Sequence, residues 1–129
     1  MNRIILSLSL LILLSACSSS NPEKKTGLIR NLITEEEIVN ASATNAYELV
    51  KQRRPEYLMP KAPKTFYRGP RSTILPVAYL NGAFLGEPSE LLKISIETVK
   101  EVRYLEPTDA TMRYGTGHVA GIIMVITRN

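Results

Sequence analysis

The spacing of apolar positions changes character near residue 76 of this 129-residue chain. Upstream, Ala46, Leu49, Val50 and Arg53 recur at helical spacing in ATNAYELVKQRR, with Thr44 or Asn45 available to cap the first turn. Pro55 ends that helix, because a proline pushes the residue before it out of the helical region, and a short turn over 55–59 follows. Earlier still, ITEEEIVN sets Thr34 three residues ahead of Glu37, a capping box that predicts one or two helical turns. Residues 59–76 have no period. Pro60, Pro63, Pro70 and Pro76 punctuate the stretch and Gly69 stands beside Pro70, which predicts an irregular surface loop.

Downstream the period is that of strands. Residues 77–80 run into Asn81-Gly82 and out through 83–85, a strong hairpin signal because both turn positions need positive φ. PSELLKISIETV reads as a short helix or helical turns, with Ser89 as cap and Glu90 in the first turn. Residues 100–105 predict a strand with Val102 and Tyr104 on one face. Thr108 caps a brief helix over 109–114, which Gly115 closes with positive φ. Residues 121–127 are apolar on both faces, the pattern of a central strand. Hairpin, helix, strand, helix, strand makes the expected fold class α+β, a small domain with a short mixed sheet and short helices.

The beginning of the chain carries a different signal. Residues 1–16 read MNRIILSLSLLILLSA, with Arg3 as the positive n-region and an apolar stretch over 4–14. That stretch is about half of the ~20 residues a membrane-spanning helix needs, so it reads as a signal peptide. It ends in Leu14-Ser15-Ala16-Cys17, and Cys17 is the only cysteine. This resembles the lipobox of bacterial lipoproteins, where small residues fit the signal peptidase and the cysteine sulfur carries a diacylglycerol. The other reading, an ordinary secretory signal followed by a free Cys, leaves an unpaired thiol in an oxidising compartment.

The lipobox resemblance implies a mature protein that begins at Cys17 and is held to a membrane by its acyl chains. Ser18 stands where an Asp would signal inner-membrane retention, which implies the outer membrane, with the domain in the periplasm. SSSNPEKKTG, residues 18–27, has no apolar residue and reads as a flexible tether. The expected organisation is a signal peptide over 1–16, lipidated Cys17 and tether over 17–27, and one domain over 28–129.

Charge and composition narrow the chemistry. The net charge of +4 loses one unit when Arg3 leaves, which is too mild for a nucleic-acid partner, and export argues against one further. Between Glu48 and Arg71, however, lie seven cations (Lys51, Arg53, Arg54, Lys61, Lys64, Arg68 and Arg71) against Glu48 and Glu56. A solvated basic face is one reading. Contact with acidic headgroups or lipopolysaccharide phosphates near the anchor is the sharper one.

The glycines of RYGTGHVAG do not predict a phosphate site. Such a site needs strand, glycine loop, then helix, and here Gly115, Gly117 and Gly121 precede a strand-like run with no Gly-Lys-Ser/Thr. Catalysis is not expected either. A Ser–His–Asp triad would have to use His118 and Asp109, the only His and the only Asp, and no nucleophile elbow is present. No His, Cys and carboxylate cluster has metal-ligand spacing, and Glu35-Glu36-Glu37 reads as a first helical turn that complements the macrodipole. No catalytic residue, metal or cofactor is therefore expected.

The C-terminal half also resembles the plug domain of TonB-dependent outer-membrane receptors. The matching positions are Asn81-Gly82, Val99, Val102, Tyr104-Leu105, Ala110, Tyr114-Gly115, Gly121, and the run from Ile122 to Thr127-Arg128. They cover about fifty residues in the order strand with Asn-Gly, short helix, strand, small helix ending in Tyr-Gly, glycine loop, strand. The preceding ATNAYELVKQRRPEYL resembles the helix found ahead of this module in short lipoproteins with a plug-like domain. Asn81, Gly82, Tyr114, Gly115 and Gly121 are then structural plug-motif residues, with Gly117 and Gly121 letting a tight loop enter a buried strand.

A complete receptor follows its plug with a barrel of strands ~9–11 residues long, and nothing here supplies them. No convincing TonB box lies between Cys17 and Glu35, so active transport is not implied. The resemblance implies the fold, the envelope location and a tendency to bind a partner. The expected function is an outer-membrane-anchored lipoprotein acting as a binding or accessory module, with nutrient uptake as a connection and a barrel receptor or other envelope protein as partner. The alternative is a structural envelope lipoprotein with no specific ligand. The candidate interaction surface is Lys61, Lys64, Phe66, Tyr67, Arg68 and Arg71, with His118 in the loop over 116–119.

Overall fold

The computed structural model describes residues 30–61 and 74–128. The segments expected to be a signal peptide and tether, Cys17, and Lys64, Phe66, Tyr67, Arg68 and Arg71 lie outside the described residues.

The domain is α+β, with one five-stranded mixed sheet and short helices. Its strands are β1 (Leu32–Ile33), β2 (Val77–Leu80), β3 (Ala83–Gly86), β4 (Val99–Leu105) and β5 (Ile122–Thr127), in the order β1-β4-β5-β2-β3. All neighbours are antiparallel except β2 and β5, which run parallel with Val77 opposite Ile122. β5, apolar from Ile122 to Ile126, sits in the middle, the place for a strand with two covered faces.

Helices cover the two faces unequally. Val102 and Tyr104 share a face with Ala78, Ile123 and Val125, because side chains alternate along each strand. Against that face pack α1 (Glu35–Val39), α2 (Ala46–Arg53) and the 3₁₀ turns Pro55–Leu58 and Pro88–Lys93, which contribute Ile38, Leu49, Val50, Tyr57 and Leu91. On the reverse face Tyr79 and Ile122 meet Ala110 of α3 (Pro107–Tyr114), with Val77, Leu105, Tyr114 and Met124 around them.

Local chemistry explains most boundaries. Thr34 caps α1 through the full reciprocal box with Glu37. Asn45, rather than Thr44, caps α2, its Oδ1 accepting from the Glu48 N–H at 2.9 Å. The Glu48 carboxylate reaches back to the Thr44 N–H and hydroxyl, and those bonds hold it below the usual carboxylate range. Pro55 stops α2 and opens the 3₁₀ turn. Asn81 (φ 50°) and Gly82 (φ 87°) form the positive-φ turn of the β2–β3 hairpin.

Two expected caps are corrected. Ser89 does not cap, because Pro88 opens that turn and Glu87 precedes it, with no side-chain cap bond. Thr108 likewise lies inside α3, since Pro107 takes the first turn and Glu106 the cap position. In both cases a proline, which has no N–H to lose and a φ suited to helices, starts the element earlier.

Candidate functional site

Tyr104 is the hub of the predicted motif. It projects from β4 into the core, where its ring stacks on Tyr57 with centroids 4.7 Å apart. Its hydroxyl donates to the Ala120 carbonyl at 2.8 Å and accepts from the Lys61 ammonium, which also lies over the ring, 4.3 Å from its centre. Burial pushes the Tyr104 phenol above its ordinary value, while the bond from Lys61 works in the other direction. The Tyr57 hydroxyl donates to the Arg30 carbonyl, and its phenol is pushed up to about 12, chiefly by burial.

Gly121 passes directly beneath this hub. A Cβ there would stand 2.5 Å from the Tyr104 hydroxyl and 2.6 Å from the Leu105 carbonyl, at a φ of +88°. Only glycine fits. Gly115 (φ +85°) ends α3 as the sequence predicts. Gly117 (φ +105°) differs from expectation. A Cβ at Gly117 would meet nothing within 4 Å, so its backbone angle alone, and no crowding, favours glycine.

His118 lies beneath the loop rather than on its surface, with 9 % of it exposed. Its Nδ1 is 2.9 Å from the Gly115 carbonyl and its Nε2 2.9 Å from the Tyr79 hydroxyl. A carbonyl can only accept, so in the neutral ring Nδ1 carries the proton and Nε2 accepts from Tyr79. Both ring nitrogens are hydrogen-bonded. The imidazole braces the loop against β2 within an aromatic group that includes Tyr114, 4.8 Å from Tyr79. Among the described residues no group of three or more His, Cys, Asp or Glu side chains converges to hold a metal ion.

Of the candidate interaction surface, the described members are Lys61 and His118, whose side chains bond different tyrosines, Tyr104 and Tyr79. Lys61 pairs with Ile74 through two backbone hydrogen bonds of 2.9 and 3.0 Å, and its ammonium is 3.9 Å from Glu106. Arg54, from the same basic stretch, forms a 2.9 Å ion pair with Glu37. Beside the Lys61–Ile74 pair opens a crevice of about 260 Å³ lined by Tyr47, Leu58, Leu75, Pro88 and Leu92, with Glu87 and Ser89 as its polar members. No known protein family, curated protein or solved structure matches this chain.

Sequence reasoning missed Tyr57, Tyr79 and the crevice. The alternation on β4 exposes Tyr104 to inference, but Tyr79 meets His118 across 39 residues and no local pattern announces that pairing.

Proposed function

We propose that this protein is a lipid-anchored outer-membrane module whose plug-like domain binds another component of the cell envelope, alongside nutrient uptake. The observation that carries the reading is the close approach of Gly121 to Tyr104. It gives two positions of the plug resemblance a shared physical cause, a backbone crossing that admits no side chain. Asn81-Gly82 as the hairpin turn and Tyr114-Gly115 as the end of α3 agree with the same reading. Cys17, with the signal-like segment before it, supplies the anchor.

Photo-crosslinkers at Met112 and at Val119, both exposed, test this in intact cells. A stoichiometric barrel or other envelope protein recovered from the outer-membrane fraction is the expected result. Recovery of lipid or lipopolysaccharide alone would overturn the partner and leave an envelope protein with a structural role.

A further inference from the structure

Several of the large apolar side chains left in water gather around the crevice beside the Lys61–Ile74 pair. Leu75 and Leu92 line it, 44 % and 53 % exposed, while Met59 and Ile74, 56 % and 36 % exposed, adjoin its lining residues Leu58 and Leu75 in the chain. An apolar patch of this kind on a small domain marks a surface that something other than water covers.

The surroundings favour one occupant. Lys61 is bonded to Ile74 through the backbone, and Lys51 stands one turn beyond the crevice residue Tyr47 on α2. The Lys61 ammonium bonds Tyr104 and stands 3.9 Å from Glu106, and the side chain remains 34 % exposed. Tyr57, immediately before Leu58, holds the carbonyl of Arg30, where the N-terminal segment joins the described fold. Twelve residues, 18–29, separate Arg30 from Cys17, a reach of up to about 40 Å when extended. Aliphatic tips flanked by long cations, at the end of the domain where an anchored segment arrives, are the makeup of an interfacial membrane-binding surface. Glu87 lines the crevice and repels phosphate from it, which leaves anionic headgroups to the lysines at its margin.

We infer that this end of the domain rests on an anionic lipid surface, with Met59, Ile74, Leu75 and Leu92 at the acyl boundary and Lys51 and Lys61 on headgroup phosphates. The inference rests on the anchored reading above for the membrane it meets. It is separate from any protein partner.

The chain contains no tryptophan, so a Leu92→Trp substitution provides a lone indole reporter in the full-length protein. With vesicles of phosphatidylglycerol and phosphatidylcholine the indole emission is expected to shift to the blue, and with phosphatidylcholine alone to stay as in buffer. Met112→Trp, on the exposed side of α3, is expected not to shift on either. Lys51→Ala is expected to weaken vesicle binding about five-fold, the share of one cation near such a surface. Leu75→Trp repeats the reading if Leu92→Trp does not fold, as judged by circular dichroism. An indole that stays in water at both positions on anionic vesicles overturns the inference, as does an equal shift at Met112. The mass of the Cys17 peptide reports the anchor independently, so an unlipidated Cys17 sinks the anchored reading while the indole still decides the surface.

Discussion

Gly121 and Gly117 are both glycines at positive φ in one short loop, yet they carry different loads. At Gly121 an added methyl meets the Tyr104 hydroxyl and the Leu105 carbonyl, so overpacking is added to backbone strain. Gly121→Ala is expected to destabilise the domain by about 3 kcal/mol, against about 1 kcal/mol for Gly117→Ala, where only the angle is unfavourable. Urea midpoints of the two variants check the ranking. The sequence shows that both positions want glycine; it does not show which one lies under a tyrosine, because Tyr104 arrives from another strand. Tyr57 gives a test by pH. Its phenol is pushed up to about 12 in the fold, against about 10 in the unfolded chain. The folded state therefore holds that proton longer, and its contribution to stability is complete below pH 10 and lost as pH rises towards 12. Stability should fall over that window, and Tyr57→Phe should remove part of the fall; tyrosinate absorbance and circular dichroism recorded together would show it.

Turns and caps were legible wherever a side chain bonds its own neighbourhood. Thr34–Glu37 and Asn45 satisfy helix N–H groups within three residues, so their chemistry is visible in the sequence. Asn45→Ala should cost about 1 kcal/mol, read from the thermal midpoint. Ser89 and Thr108 misled because a proline one residue earlier already starts the turn. The hairpin tip is held by more than its turn type. Asn81 donates to the Thr127 hydroxyl at 2.8 Å and accepts from the Thr127 N–H at 3.0 Å, tying β2 to the end of β5. Asn81→Gly keeps the positive φ and removes both bonds, so a loss of about 1–2 kcal/mol in urea denaturation would isolate that tie. The parallel pairing of β2 with β5 was not legible. An apolar run reveals that a strand is buried on both faces, but not which neighbour, far along the chain, lies beside it.

Among the described residues, one face of the sheet carries two helices and the 3₁₀ turns, and the other carries α3. The class of the domain followed from the order of its elements, whereas the gathering of Tyr47, Leu75 and Leu92 around one crevice needed the fold, since they belong to three separate segments. The proposed role joins this geometry to a segment that only the sequence describes, the run ending in Leu14-Ser15-Ala16-Cys17. That junction is the central claim, and the intact mass of the protein extracted from outer membranes tests it most directly. The account predicts a chain beginning at Cys17 whose mass exceeds that of the polypeptide by a diacylglycerol and any further acyl chain. A chain that still begins at Met1, or one that begins at Cys17 with an unmodified thiol, would contradict it.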